Sequence, residues 1–362
     1  MKHLPLFVLL AVALAACAPQ SRVPEISRKA AEEEARKQRE IVVLERMKVQ
    51  DRLRRVDFAV RAANVDLCKE KAPAVGFLTM DRDSAPPEYR EAYASLYGVT
   101  RQMTVISVFG GGPAARAELA VGDRIVSVNG EIIGGGSSGR SRVAKLIAEG
   151  KGRPLSLTVR RGGNLVPVEL TPAMVCNYPT FLHNDDSVNA FADGSRIIVT
   201  SGLMRFAEAD DELAFVIGHE LAHNTMGHIE AKTGNMILGG IVGAILTGLS
   251  GVNVIDPMMQ VGVLAFSQEF EAEADYVGVY YAAKAGYDTK KAAYFWRRMA
   301  AAHPRAIGLQ GTTHPSSAKR FLAVEAATKE IAGKRARGEP LVPYMKSSRK
   351  PASKPAGSGP TQ

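Results

Sequence analysis

The stretch Asp210-Asp211-Glu212-Leu213-Ala214-Phe215-Val216-Ile217-Gly218-His219-Glu220-Leu221-Ala222-His223 decides how the rest of the chain is read. Three acids ahead of an apolar run open a helix, because negative charge favours the positive end of the helix dipole. At about 100° per residue, His219 and His223 lie about 40° apart, one turn from each other, so both imidazoles can hold one ion. Glu220, offset by about 100° from His219, flanks such an ion without ligating it and can take a proton from bound water. The HExxH spacing therefore points to a zinc centre, one ion per chain, with His219 and His223 as ligands and Glu220 as general base.

A catalytic zinc takes a third protein ligand and keeps one open position. His228 does not supply it, since on a continuing helix it lies about 180° from His219. Downstream, Phe270-Glu271-Ala272-Glu273-Ala274-Asp275 reads as a helix on which Glu271 and Asp275 share a face. Glu271 is the expected third ligand, and Asp275 the acceptor for the outer N–H of a ligand histidine. Glu273, about 200° round from Glu271, is expected at the surface. Glu269 is the rival ligand.

Outward from this centre, Val188–Ala192 and Arg196–Thr200 flank Asp193-Gly194 as a hairpin, and helical patterns then run to about Arg337. Four segments, in order Asn189-Ala190-Phe191-Ala192, His219–His223, Glu271–Asp275 and Thr313-His314-Pro315 with Arg320, resemble the gluzincin zinc metallopeptidases of the HtpX/BepA/Oma-like group, metallopeptidase family forty-eight. The resemblance covers roughly residues 179–325 and implies a metalloendopeptidase. It further implies that Asn189, Ala190, Phe191 and Ala192 form an active-site edge strand along which substrate pairs. Arg320 would support the metal ligands. His314 would lie close to the metal, as an oxyanion stabiliser or as a latch on the open position, or would be a structural histidine. Met236–Leu249, fourteen residues and apolar except for Thr247, is too short to span a membrane. It is read as an element covering the cleft, with membrane-surface contact as the alternative.

Residues 95–172 have a different texture, of short strands and glycine turns: strands at 103–108, 124–128, 155–160 and 165–170, and helices at 114–119 and 141–148. Gly111 to Gly130 (GGPAARAELAVGDRIVSVNG) resembles the core of a bacterial PDZ domain, which implies binding of an extended peptide by strand addition. Tyr97-Gly98-Val99-Thr100 stands where the carboxylate-binding loop is expected. Two cysteines, Cys68 and Cys176, bracket this domain and read as one disulfide or as two thiols. Closing a loop of roughly 100 residues is worth about 4 to 5 kcal/mol in the chain-entropy model.

The chain has 362 residues, 46% of them hydrophobic, and a formal net charge of +9. That length holds two cored domains with segments outside them. Residues 1–16 read as an export signal: Met1-Lys2-His3, an apolar Leu4–Ala16, then Cys17. Leu14-Ala15-Ala16-Cys17 resembles the bacterial lipobox, which implies lipid on Cys17 and a membrane partner, with Ala18 favouring the outer membrane, facing the periplasm. Residues 17–66 then comprise this anchor and an amphipathic helix, expected as a spacer. Residues 338–362, Pro/Ser/Gly-rich and basic, are expected to be a disordered tail. No basic patch is interleaved with aromatics, so no nucleic-acid partner is expected.

The fold expected is α+β. A mainly helical zincin-like peptidase domain (179–337) with a small hairpin follows a β-rich PDZ-like domain (95–172) and an N-terminal helix. The function expected is hydrolysis of unfolded or unassembled envelope polypeptides, as quality control, with a peptide ligand on the PDZ domain. The alternative is a zinc-stabilised chaperone or adaptor with a latched or inactive site.

Overall fold

The computed structural model describes residues 23–250, 267–302 and 318–346, with Ser21, Asn253, Asp256 and Met258. The export signal, Cys17, Thr313-His314-Pro315 and residues 347–362 lie outside the described residues. The architecture is α+β. Helix α1 (Arg28–Ala63) opens on Ser27, whose hydroxyl accepts the Ala30 N–H and satisfies one of the donors left over at a helix start. It is an integral element and not a free spacer. Val43 and Met47 pack with Ala85, Tyr93 and Ile106 on the PDZ side, whereas Leu53, Val56 and Val60 enter the peptidase core. The apolar stripe is thus long enough to serve two cores in succession.

After α1, strand β1 (Lys71–Ala74) leads into the PDZ sheet: β2 (Phe77–Met80), helix α2 (Arg90–Tyr97), β3 (Thr104–Val108), helix α3 (Pro113–Arg116), β4 (Arg124–Val128), β5 (Glu131–Ile132), helix α4 (Gly136–Gly150), β6 (Leu155–Arg161) and β7 (Asn164–Leu170). The strand order is β2-β3-β4-β6-β7, with β5 on β4. Edge strand β2 lies upstream of the 95–172 span read from the sequence, because a helix separates it from its partner β3. The loop entering that edge is Ala74-Val75-Gly76, and not Tyr97–Thr100, where Gly98 (φ 66) closes α2. Gly76 is required there. Its φ is 79, and a Cβ would meet Pro113 Cδ at 3.1 Å.

Strand β8 (Ala173–Cys176) returns antiparallel to β1, and a disulfide joins Cys68 to Cys176, Cα atoms 5.5 Å apart. Entry to and exit from the PDZ domain are therefore tied at one neck. The peptidase part begins with β9 (Thr180–His183), β10 (Ala190–Ala192) and β11 (Ile197–Thr200), in the order β10-β11-β9. Helices follow: α5 (Ser201–Phe206), α6 (Asp210–Thr225), α7 (His228–Ser250), α8 (Ser267–Lys284), α9 (Ala292–Ala302) and α10 (Ala318–Ala336).

Met236–Leu249 is part of the 23-residue helix α7, which leaves Ile237, Leu238, Ile241 and Ile245 exposed. Among the described residues it is the one helix long and apolar enough to cross a membrane by length and composition. The polar start of α7 had masked its true length in the sequence pattern. Residues 338–346, expected as part of a disordered tail, instead run back over the helices. Lys334 Nζ donates to the Val342 carbonyl (2.6 Å), and the Tyr344 N–H donates to the Tyr276 hydroxyl (3.1 Å).

Helices α6 and α8 form the centre of the domain and touch backbone to backbone. A Cβ on Gly218 would lie 2.5 Å from the Gly278 carbonyl oxygen, and one on Gly278 would lie 2.6 Å from the His219 amide nitrogen. No side chain fits between them, so Gly278→Ala must push the helices apart. Overpacking of this kind costs about 1 to 3 kcal/mol. Denaturant unfolding of the Gly278→Ala chain is expected to show a loss of that size; wild-type stability would contradict the packing argument.

Candidate metal centre

Helix α6 starts on Asp210, Asp211 and Glu212 and is anchored from outside the domain. Arg52 and Arg55 of α1 both donate to the Asp210 carboxylate, at 2.8 and 2.7 Å. The whole of Glu212–Asn224 is buried, with Leu213, Phe215, Ile217 and Leu221 in the core. The same helix therefore carries polar chemistry through the least solvated part of the molecule. Its far end is tied to the hairpin, since Asn224 Oδ1 accepts the Gly194 N–H at 2.8 Å. That bond holds β10, the edge strand, beside the helix, with Phe191 exposed on it.

His219 and His223 point their Nε2 atoms at one place, 3.1 Å apart, and Glu271 of α8 closes a triangle. Its Oε2 is 3.4 Å from His219 Nε2, and its Oε1 is 3.4 Å from His223 Nε2. Donors about 2.0 to 2.2 Å from a tetrahedral zinc are spaced about 3.3 Å from one another, so this donor set fits that ion. All three side chains are buried, and their ligand atoms lie within 4.8 Å of one another. Glu220 is buried beside them at 2% exposure. Glu269, the rival ligand, is exposed at the start of α8 and outside this group.

Around the triangle stand carboxylates and cations together, with Lys232 Nζ 3.6 Å from Glu271 Oε1. Asp275 Oδ1 lies 2.9 Å from His219 Nδ1 and accepts from the indole N–H of Trp296 (3.0 Å) and from Arg320 Nη2 (2.9 Å), while its Oδ2 takes Arg320 Nε at 2.6 Å. Arg320 Nη1 also lies 3.3 Å from Glu271 Oε2, so one guanidinium braces both carboxylates. Burial would raise the Asp275 carboxyl, but Arg320 and His219 hold it low. Burial disfavours charge on both ligand histidines. At His219 the carboxylates of Asp275 and Glu271 prevail and raise it to about 9, whereas at His223 burial wins, helped by repulsion from His219, and lowers it to about 4.

Two participants escaped the sequence reading. Trp296, the one tryptophan of the chain, packs edge-on against His219 with centroids 5.5 Å apart and hydrogen-bonds Asp275. Its signal was only its rarity. Glu273, expected at the surface, has a side chain 42% exposed and places Oε2 2.9 Å from His228 Nε2. The helix angle was read correctly from the sequence, but the partner on that side was not.

Two histidines a turn apart and an acidic donor on a crossing helix could together hold one metal ion, with a second glutamate buried beside them. A family model described as Peptidase family M48 matches residues 173–328, and one described as PDZ domain matches residues 104–161. The chain is 32% identical over 139 residues to the mitochondrial metalloendopeptidase OMA1 of Arabidopsis thaliana, covering 38% of this chain and 29% of that protein. It is 29% identical over 134 residues to the beta-barrel assembly-enhancing protease of Yersinia pestis, covering 33% of this chain and 28% of that one. The chain spans less than a third of the length of these two curated relatives. Among solved structures it is similar to the HtrA3 PDZ domain bound to a phage-derived ligand (24% identity, 29% of this chain, 89% of that one, TM-score 0.23). Residues 173–328 are an M48 peptidase domain, joined to a PDZ domain at 104–161.

Replacing Asp275 by Asn removes the negative charge opposite Arg320 and weakens the acceptor for His219. Breaking a buried pair costs about 3 to 5 kcal/mol, and loss of a ligand's outer partner costs about 10- to 100-fold in metal affinity. Denaturant unfolding and competition with a chromophoric chelator are expected to show both losses in Asp275→Asn. Zinc affinity equal to that of wild type would remove Asp275 from the site.

Proposed function

We propose that this chain is a zinc-dependent endopeptidase of the bacterial envelope, exported, lipid-anchored through Cys17 and directed at unfolded or unassembled envelope polypeptides. The observation that carries this reading is the convergence of His219, His223 and Glu271 on one point, with Glu220 buried beside it. The Yersinia relative, a beta-barrel assembly-enhancing protease, supports the envelope and its unassembled proteins as the setting.

His219, His223 and Glu271 would hold the zinc, which when bound supplies a Lewis acid. Glu220 takes the proton of the attacking water and then delivers it to the leaving amine nitrogen. Asp275 keeps the His219 proton on Nδ1, leaving the Nε2 lone pair for the ion. Extended substrate is laid along β10, whose place at the sheet edge beside α6 suits backbone pairing. The PDZ domain gathers substrate along its own edge strand, β2, behind the Gly76 loop.

Cleavage of an unfolded model protein by the zinc-loaded chain tests this reading. Glu220→Gln is expected to bind zinc as wild type does and to lose about 10²- to 10⁴-fold in rate, the usual contribution of a general base. A chelator should abolish cleavage and added zinc restore it. Wild-type turnover by Glu220→Gln would overturn the mechanism; zinc binding without cleavage in the wild type would favour an adaptor stabilised by its metal.

A further inference from the structure

Helix α6 ends at Thr225, and α7 starts anew at His228 after Gly227, whose φ is 72. A β-carbon is strained in that left-handed conformation, so the break is built into the backbone. It swings His228 from the far side of a continuing helix back onto His223. His228 Nδ1 lies 3.0 Å from His223 Nδ1, and His228 Nε2 lies 2.9 Å from Glu273 Oε2. The His228 ring is 1% exposed and stacks on Phe270, centroids 4.7 Å apart and planes 19° from parallel.

These contacts admit one arrangement of protons when His223 serves as a ligand. A neutral His223 that offers its Nε2 lone pair to a cation carries its proton on Nδ1. The only role left for His228 Nδ1, 3.0 Å away, is acceptor. The His228 proton must then sit on Nε2, which faces a carboxylate oxygen of Glu273. Every nitrogen in the chain has a single role, and each role matches the atom opposite.

We propose that His228 and Glu273 are positioning residues for the metal centre, which fix the tautomer and ring angle of His223 through the chain His223 Nδ1–H to His228 Nδ1, then His228 Nε2–H to Glu273. This rests on the reading of His219, His223 and Glu271 as zinc ligands and extends it. Each ligand histidine then has its own outer support, and the two differ in kind. The His219 support is a carboxylate sealed inside by Arg320 and Trp296. The His223 support passes through a second imidazole to a half-exposed glutamate.

Zinc affinity of the full chain, by chelator competition, together with the visible spectrum of the cobalt-loaded protein, tests the assignment. His228→Phe keeps the stacked ring and removes both nitrogens; it is expected to weaken zinc binding by about 10- to 100-fold and to displace the cobalt bands. His228→Asn, whose amide oxygen can replace Nδ1 as acceptor, is expected to restore both to within a few-fold of wild type. Glu273→Ala should fall between them, and its half-exposed position makes it the usable variant if His228→Phe does not fold. Wild-type affinity and spectrum in His228→Phe, or in Glu273→Ala where that alone folds, would overturn the proposal while leaving the zinc site standing. Absence of zinc binding in the wild type, or its survival in His219→Ala, would overturn the site reading and the proposal with it.

Discussion

The contact between Gly218 and Gly278 sets the geometry on which the centre depends. With no side chain on either, helices α6 and α8 meet at backbone distance, and the His219 amide nitrogen lies against Gly278. Glu271 and Asp275 project from α8 onto the face of α6 that carries the two histidines. Any spacer at this crossing would separate donors that now sit 3.4 Å from one another. A metal site assembled from two helices needs such a fixed approach, because a lone acid on one helix cannot search for a ligand on the other once both are buried.

Burial is what makes the surrounding polar groups consequential. Asp275 accepts three hydrogen bonds, one from Trp296 and two from Arg320, within one small volume, and Arg320 spans the two carboxylates. Losing any one of these contacts at near-zero exposure would be costly. Phe215 and Trp296, packed edge to face, wall this cluster off from solvent.

The two domains share more than a linker. Helix α1 contributes to both cores, its Arg52 and Arg55 hold the first turn of the metal helix, and the β1–β8 ribbon with the Cys68–Cys176 bridge closes the neck. The edge strands β2 and β10 are thus held in a set relation. The Gly76 loop and the Gly194 turn place those two edges, each through a residue with positive φ.

Local periodicity and spacing were enough, from the sequence alone, for the α6 helix, the hairpin, most of the PDZ strands and the i, i+4 relations within each motif, because those depend on residues a few positions apart. Spacing also singled out Glu271, four residues before Asp275 on one helix face. The tertiary structure decided everything that required two distant segments to meet. Phe77–Met80 became an edge strand only by pairing with β3 across an intervening helix. The angle that ruled His228 out as a ligand assumed an unbroken helix, and the left-handed Gly227 turned that residue into a neighbour of His223 instead. Trp296 and Glu273 gained roles from partners 21 and 45 residues away, respectively, and no local pattern carries that information.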